Sequence, residues 1–203
     1  MTYLGLNRNL IGQNSSRVNI VKSLFLIKIQ GTEALARMLK INKTLCTLKL
    51  GRNFLGSRGG TIIVEALSYN NSLSTLDISE NTLGPEVGLS LSQILQLANN
   101  LTHLNLANNK LGSRGISAIG ESLKTNSKLV TLNLEGNGMG DWGAISIAEA
   151  LQLNTSITSL NIGSNGIGVS FSIFLSSKHL AKWGCCCSKS NWTSQKSCIF
   201  NSE

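Results

Sequence analysis

The sequence contains little of the chemistry on which most enzymes and metal sites depend. It has two histidines, His103 and His179, and neither is accompanied by a serine or cysteine in a nucleophile motif. Its five cysteines are an odd number, which gives no disulfide framework, and the run Cys185–Cys187 lacks the spacing of zinc-ligand pairs. We therefore expect a protein that is not an enzyme and that holds neither a metal ion nor a cofactor.

Long hydrophobic runs are also missing. The apolar stretches 18–29 and 167–175 are too short or too charged to span a bilayer, and the first residues do not form a signal peptide. Palmitoylation of residues 185–187 is an alternative to a reduced, unmodified tail, but no adjoining membrane segment favours it. These absences predict a cytoplasmic protein with no membrane partner.

Charged residues make up only 14% of the chain, and the positive charge is unevenly placed. Residues 45–156 hold seven basic and eight acidic side chains, a net charge of −1, so the overall charge of +8 arises at the two ends. A face that binds phosphates should lie in the regular part of the chain, and no phosphate-binding loop motif is present. We expect neither a nucleic acid nor a small-molecule substrate as partner.

What the chain does contain is a repeat of 28 residues. Residues 101–128 read LTHLNLANNKLGSRGISAIGESLKTNSK, and the pattern recurs at that period in both directions. Each repeat opens with L-x-x-L-x-L-x-x-N-x-L-G, which is the signature of a leucine-rich repeat, and continues with apolar residues at helical spacing. The repeats open at Leu45, Leu73, Leu101, Leu129 and Ile157.

The first half of each repeat predicts a strand that ends at an asparagine. Leu104 and Leu106 alternate with Asn105, which directs the leucines inward and the asparagine outward. The amide at the ninth position both donates and accepts, so it can satisfy backbone groups where the chain leaves the strand. These ninth-position asparagines are Asn53, Asn81, Asn109, Asn137 and Asn165.

The second half of each repeat predicts a helix. A glycine at the twelfth position permits the turn that precedes it, and we expect a capping residue or a proline to start it. The N-x-S/T sequences at Asn42, Asn70 and Asn154 share one position just past the helix, so the repeat explains them better than glycosylation does. The residues predicted to start the helices are Ser57, Pro85, Ser113 and Asp141.

One strand and one helix do not bury this apolar set alone, so the repeats must stack. Stacked strands lie about 4.8 Å apart, whereas neighbouring helices need roughly 8–10 Å, and this mismatch bends the stack. The sequence therefore predicts an α/β solenoid shaped like a horseshoe. Parallel strands should line its concave side and α-helices its convex side.

The repeat domain is predicted to cover residues 1–168. Residues 1–12 match the front half of a repeat and residues 29–44 the back half, which makes 13–28 an irregular insertion at the turn. A degenerate extra repeat is the alternative interpretation of that segment. Residues 169–203 are predicted to be an irregular, disordered tail. Neither end shows the polar cap of a terminal repeat, so we expect a fragment of a longer array.

The repeat length, the LG turn and the long helix with its A-x-x-L pattern resemble the ribonuclease-inhibitor class of leucine-rich repeats. That class includes ribonuclease inhibitor, the sensor domains of NOD-like receptors and Ran GTPase-activating protein. Uniform 28-residue repeats resemble those of the NOD-like receptors more than those of ribonuclease inhibitor, whose repeats alternate in length. The resemblance implies a non-catalytic interaction scaffold or sensor module, and a GTPase activator of the Ran type is the alternative.

Binding is expected on the concave face, at the third, fifth, seventh and eighth positions of each repeat. These residues are small and polar and include no aromatic anchor, so a set of solvated strand residues without a dedicated partner is the competing interpretation. His103 beside Asp77 would imitate a catalytic base and its orienting group. The candidate contacts for an unidentified protein partner are Thr47, Lys49, Arg52, Thr75, Asp77, Glu80, His103, Asn105, Asn108, Thr131, Asn133 and Glu135.

Overall fold

The computed structural model describes residues 3–5, 21–97, 100–168, 183–185 and 199–202. Strands and helices alternate from Tyr3 to Asn161, and two further strands follow. The helices are α1 (Val21–Ile41), α2 (Gly56–Leu67), α3 (Pro85–Gln96), α4 (Gly112–Leu123) and α5 (Gly140–Leu153). The strands are β1 (Tyr3–Gly5), β2 (Thr47–Lys49), β3 (Thr75–Asp77), β4 (His103–Asn105), β5 (Thr131–Asn133), β6 (Ser159–Asn161), β7 (Trp183–Cys185) and β8 (Ile199–Ser202).

The strands form one sheet in which β1 to β6 are parallel and follow the order of the chain. Each strand pairs with the equivalent positions of its neighbour, so that Leu48, Leu76 and Leu104 stand side by side. At the far edge β8 pairs antiparallel with β6, and β7 pairs with β8. From β2 to β6, every pair of partnered residues is 28 positions apart in the sequence. The register predicted from the 28-residue period is therefore confirmed for these strands.

The apolar core lies between this sheet and the helices. The central leucine of each strand from β2 to β6 is buried, and so are the inward residues of the helices, such as Ile63, Leu91 and Ile119. The core is therefore a continuous band shared by consecutive repeats, which is the arrangement expected when single repeats lack a core of their own. The fold is the predicted open α/β solenoid, with helices on its outer side.

The ninth-position asparagines form a buried row behind the ends of the strands, here called the strand-end row. Asn81 is representative: its Nδ2 donates to the carbonyl of Leu50 at 2.9 Å and to that of Ile78 at 3.0 Å. Its Oδ1 accepts the backbone N–H groups of Asn53 at 3.0 Å and Leu55 at 3.2 Å. The row therefore satisfies the backbone at the strand ends, as predicted.

A second row of asparagines, the helix-end row, follows the helices. Asn154 donates from Nδ2 to the carbonyls of Leu123 and Asn126, both at 2.7 Å. Its Oδ1 accepts the N–H groups of Ser156 at 3.0 Å and Ile157 at 2.9 Å. Because these amides are engaged by backbone, the structural role predicted for the sequon positions is supported. The described members of the row are Asn42, Asn70, Asn126 and Asn154.

The prediction that Ser57, Ser113 and Asp141 cap their own helices is wrong. Helices α2, α4 and α5 have no side-chain cap hydrogen bond, whereas Pro85 does occupy the first turn of α3 as predicted. The reason is that the next repeat performs this task. For example, the N–H of Gly56 donates to the carbonyl of Asn81 at 3.0 Å. Asp141 instead accepts the N–H of Gly168 at 2.5 Å.

Helix α3 departs from the others at the fifteenth position, where it has Val87 in place of glycine. Space for Val87 exists because Gly60 faces it on α2, and a Cβ on Gly60 would lie 2.8 Å from Val87 Cγ2. On its other side, α3 approaches α4 closely: a Cβ on Gly88 would lie 2.6 Å from the Cα of Gly115. Glycine therefore occurs at the points where a helix packs closely against its neighbour, and the neighbouring side chains determine which position that is.

Two segments bear on the predicted domain limits. Helix α1 begins at Val21, so residues 21–28 of the expected insertion are helical, and β1 pairs directly with β2. In the expected tail, β7 and β8 are strands rather than irregular chain. The rest of both segments lies outside the described residues, and the domain limits stay predictions. None of the described helices is both long enough and apolar enough to cross a membrane.

Candidate partner-binding surface on the concave face

The twelve side chains predicted for partner binding lie on, or just beyond, the face of the sheet opposite the buried leucines. Nine of them are half-buried by their neighbours in the stack. The three that are exposed are Arg52, His103 and Asn108, which come from two repeats separated by a single repeat. Among these twelve positions, exposure therefore concentrates on the part of the face formed by β2 to β4.

Charge on this face is arranged in opposite signs on neighbouring strands. Lys49 in β2 stands in register with Asp77 in β3, and Arg52 Nε lies 2.7 Å from Glu80 Oε2. The Arg52 and Glu80 side chains remain 49% and 39% exposed, so solvent screens the pair and its contribution to stability is small. The pair instead fixes the directions of two charged side chains on an open surface.

Fifth-position side chains have a structural task that the sequence analysis missed. Asp77 Oδ1 accepts the N–H of Ser79 at 3.0 Å, and Asn133 Oδ1 accepts that of Glu135 at the same distance. Asn105 and Asn161 make the same bond two residues ahead. An acidic or amide side chain two residues before a turn N–H is the signal that would have predicted it. These residues end the strands, which reduces their availability to a partner.

His103 and Asp77, the two side chains that could imitate a catalytic base and its orienting group, are bonded to other residues rather than to each other. His103 is in register with Thr75, and its Nδ1 lies 2.8 Å from Thr102 Oγ1, while Asp77 is engaged by Ser79 through both N–H and Oγ. Side chains at the third and fifth positions of adjacent strands are offset along the strand, which is why the two miss each other. The histidine is thus an exposed polar side chain of the concave face without an orienting carboxylate.

The eighth position turns the chain off the concave face with a left-handed backbone. Arg52, Glu80 and Asn108 have φ values of 60°, 54° and 57°, and the equivalent Gly136 has 66°. Asn108 also packs against its neighbour, since a Cβ on Gly136 would lie 2.0 Å from Asn108 Oδ1. The direction of the Arg52, Glu80 and Asn108 side chains therefore follows from the repeat itself.

An aromatic side chain that the sequence analysis overlooked lies beside this patch. Phe54, two residues after Arg52, is 49% exposed and has a φ of 53°. Its tenth position falls outside the four positions assigned to the concave face, although it belongs to the same turn as Arg52. The left-handed backbone is unfavourable for a bulky side chain, and Gly138 and Gly166 occupy this position in later repeats.

Comparisons with known proteins agree with this architecture. A family profile described as Leucine Rich repeat matches residues 69–92, 98–120, 125–148 and 153–170. No curated protein matches the chain. Among 62 matching chains of known structure is leiomodin-1 actin-binding site 2, with 20% sequence identity and a TM-score of 0.59. That alignment covers 70% of this chain and 83% of the other.

The chain therefore contains leucine-rich repeats, and its fold is that of an open leucine-rich repeat solenoid. At 20% identity the similarity to leiomodin-1 concerns the fold alone. The matches give no support to the alternative of a GTPase activator. A non-catalytic module that interacts with another protein is the class of function that the repeats and the fold support.

Proposed function

We propose that this protein is an interaction scaffold that binds a protein partner through its concave face, with a contact centre formed by Arg52, Glu80, His103 and Asn108. The observation that carries the proposal is the exposure of Arg52, His103 and Asn108 on a face whose other predicted positions are half-buried. Of these side chains, His103 lies in β4, whereas Arg52 and Asn108 lie in the fixed turn after a strand. Because the repeat backbone positions them in advance, little conformational freedom is lost when a partner binds. The 28-residue repeats further favour assignment to the ribonuclease-inhibitor class.

Three physical features support this centre. The ion pair between Arg52 and Glu80 places opposite charges side by side, which suits a partner of complementary charge and accelerates its association. Phe54 adds an exposed aromatic ring at the margin, the residue type that most often anchors an interface. A solenoid of the same fold is named for an actin-binding site, so the architecture is used elsewhere to bind a protein.

Charge variants test the assignment to the concave face. We expect Lys49→Glu with Arg52→Glu, or Asp77→Lys with Glu80→Lys, to weaken a partner isolated by affinity capture, mainly through a slower association rate at low salt. The matched control is Glu121→Lys with Lys124→Glu, which reverses an ion pair of 2.7 Å at the C-terminal end of the outer helix α4, where the Glu121 and Lys124 side chains are 60% and 28% exposed. If the helix variant loses the partner and the concave variants keep it, the proposed surface is wrong.

A charge swap separates binding from folding. Arg52→Glu with Glu80→Arg preserves an ion pair at the same place but reverses its direction on the surface. We expect its urea midpoint to match that of the parent, while association with the partner falls. A variant that binds normally with its charges exchanged would show that the charge pattern of this face is irrelevant to the partner.

Phe54→Gly should raise the stability of the protein while it weakens partner binding. Glycine accepts a φ of 53° without strain, so we expect the free energy of unfolding to rise by about 1 kcal/mol. Loss of the exposed ring should weaken the partner by roughly tenfold. The control Thr82→Gly makes the same backbone change one repeat later, at a φ of 52°, without removing an aromatic ring. Equal partner affinities for these two variants would exclude Phe54 from the interface.

A further inference from the structure

Large apolar side chains are exposed at one repeat position, the twenty-fifth, along the edge where all five helices end. Ile41 is 80% exposed, Tyr69 61%, Leu97 55% and Leu153 65%, and Thr125 occupies the same position after α4. They account for four of the six exposed large hydrophobic side chains in the described residues. Because consecutive repeats stack in register, these side chains form a line, here called the apolar row, with a spacing of about 8–10 Å.

The five residues at and beside each row position include lysine but no acid, whereas Glu65, Glu121 and Glu149 lie one turn earlier in their helices. Positions 24–28 of the five repeats read KINKT, SYNNS, QLANN, KTNSK and QLNTS, so the lysines follow α1 and α4 only. Most of them are engaged within the chain. Lys43 Nζ donates to the carbonyls of Lys40 and Tyr69 at 3.2 and 2.6 Å, and Lys40 Nζ lies 4.9 Å from the centre of the Tyr69 ring. Lys124 pairs with Glu121 at 2.7 Å.

This environment argues against an anionic surface as the occupant. Five helices direct their C-terminal ends, which carry partial negative charge, to the same edge, and the lysines offset that charge locally. Little positive potential is then left to attract an acidic protein or an anionic lipid. The dominant property of the edge is its apolar row, which suits an occupant that is itself apolar and close to neutral.

We propose that the apolar row is the contact surface of a symmetric dimer, in which a second copy of this chain packs antiparallel with Leu97 on the two-fold axis. In that arrangement the end of α1 faces the end of α5, and the end of α2 faces the end of α4. Ile41 meets Leu153 of the second copy, and Leu97 meets Leu97. A closed two-fold pairing of one surface with itself is the commonest form of protein oligomer.

The distribution of lysine fits this pairing. The lysine-bearing ends of α1 and α4 meet the lysine-free ends of α5 and α2, so no two lysine clusters oppose each other. The lysine-free ends of α5 and α2 thereby each meet lysines of the second copy, whereas the lysine-free end of α3 meets its own equivalent. Tyr69, whose ring already lies 4.9 Å from Lys40 Nζ of its own chain, faces the repeat that carries Lys128. The antiparallel arrangement therefore keeps the lysine clusters of the two copies apart and sets them opposite helix C-terminal ends, which carry partial negative charge.

The size of the edge is adequate. Residues 40–44, 68–72, 96–97, 124–128 and 152–156 together with Asn100 make 23 positions on each copy, of which 20 are exposed or half-buried and Asn70, Asn126 and Asn154 are buried. A stable interface uses roughly 20–30 residues from each partner. Because the edge is separate from the concave strands, a dimer of this kind leaves the proposed partner-binding surface open on both copies.

The oligomeric state of the full chain tests the proposal. Light scattering after gel filtration should give twice the 21.7 kDa mass of one chain. Leu97→Asp should raise the dimer dissociation constant by roughly thirtyfold or more, as expected for a central hot spot, without unfolding a side chain already 55% exposed. The matched control is Trp142→Asp, at the opposite ends of the helices, where the side chain is 78% exposed and the dimer should persist.

Cysteine cross-linking tests the axis itself. In a chain whose five native cysteines are replaced by serine, the cysteine of Leu97→Cys should form a disulfide with the same cysteine of the second copy after oxidation with diamide. Ile41→Cys or Leu153→Cys alone should not, because each lies roughly 30–40 Å from its own copy, but a mixture of the two should cross-link. A monomer at all concentrations, a dimer insensitive to Leu97→Asp, or binding of phosphatidylserine vesicles by the monomer through this row would each overturn the proposal.

Discussion

The two rows of buried asparagine look equivalent along the sequence but use their side-chain oxygens differently. In the strand-end row, Asn81 reaches into the preceding repeat with both atoms, since Oδ1 accepts N–H groups of Asn53 and Leu55 and Nδ2 donates to the carbonyl of Leu50. In the helix-end row, Asn154 reaches back only through Nδ2, and its Oδ1 serves the turn of its own repeat. Both rows therefore link consecutive repeats through Nδ2, but only the strand-end row also accepts N–H groups of the neighbouring repeat.

This difference predicts how far the loss of one asparagine from each row affects the neighbouring repeats. A missing strand-end asparagine leaves N–H groups of the neighbouring repeat without acceptors, so its effect spreads along the solenoid. The strand-end row has no gap from Asn53 to Asn165, whereas the helix-end row is interrupted by Ala98, a residue outside the described part of the chain. Buried N–H groups tolerate the loss of a partner less well than carbonyls do, which is consistent with that pattern.

The largest effect is expected from Asn81→Ala. The carbonyls of Leu50 and Ile78 keep donors from Asn53 and Asn109 at 2.7 and 2.9 Å, so the cost arises from the N–H groups of Asn53 and Leu55. Two buried, unsatisfied donors should lower the free energy of unfolding by roughly 2–6 kcal/mol, measured by urea denaturation. Asn100→Ala, which removes a single bond at an exposed site, is the control and should change it by less than about 0.5 kcal/mol.

Hydrogen exchange sharpens this prediction, because the damage should appear in the preceding repeat. The amides of Asn53 and Leu55 are expected to exchange faster in Asn81→Ala than those of the substituted repeat itself. Exchange that increases only around residue 81 would mean that the strand-end row does not couple repeats.

A smaller effect is expected from Asn154→Ala. The N–H of buried Ile157 loses its acceptor, whereas Ser156 is half-exposed and its N–H can bond to water. We expect a loss of about 1–3 kcal/mol, with faster exchange confined to the turn that contains Ile157. A loss as large as that of Asn81→Ala, or one that spreads into the repeat of Asn126, would remove the distinction between the two rows.

Much of the fold could be predicted because one repeat contains the information for its own strand and helix. The alternation around Leu104 fixes which side chains are buried, and the 28-residue period fixes the strand register without further information. Contacts between repeats were harder to predict. Helix starts were assigned to Ser57 and Ser113, but a carbonyl of the next repeat satisfies the helix N-terminus in both cases, and only the stacked geometry reveals that donor–acceptor pair.

The same limit applies to the concave face. The sequence places Asp77 and Asn105 outward, but their use as strand-ending acceptors depends on a turn whose backbone is left-handed. The pairing of Arg52 with Glu80 follows from an identical repeat position and was within reach of the sequence. Phe54 was missed because exposure at the tenth position is a property of that turn, and the apolar alternation of the strand does not extend so far.

The smallest effect is expected from Ala98→Asn, which fills the gap in the helix-end row. Asn70 and Asn154 each donate to two carbonyls at the end of the preceding helix, and Asn70 does so to Leu39 and Asn42 at 2.6 and 2.9 Å. By the 28-residue period, the acceptors expected for an asparagine introduced at residue 98 are the carbonyls of Leu67 and Asn70. We expect the free energy of unfolding to rise by about 0.5–1 kcal/mol, the net contribution of a hydrogen bond that replaces bonds to water. Ala98→Ser, which adds a polar group too short to span the same distance, is the control and should leave stability unchanged. The native chain already has alanine at this position. A rise of this size in the free energy of unfolding would show that each asparagine of the helix-end row adds stability separately. An unchanged or lower urea midpoint would show that the gap in the row does not reduce stability.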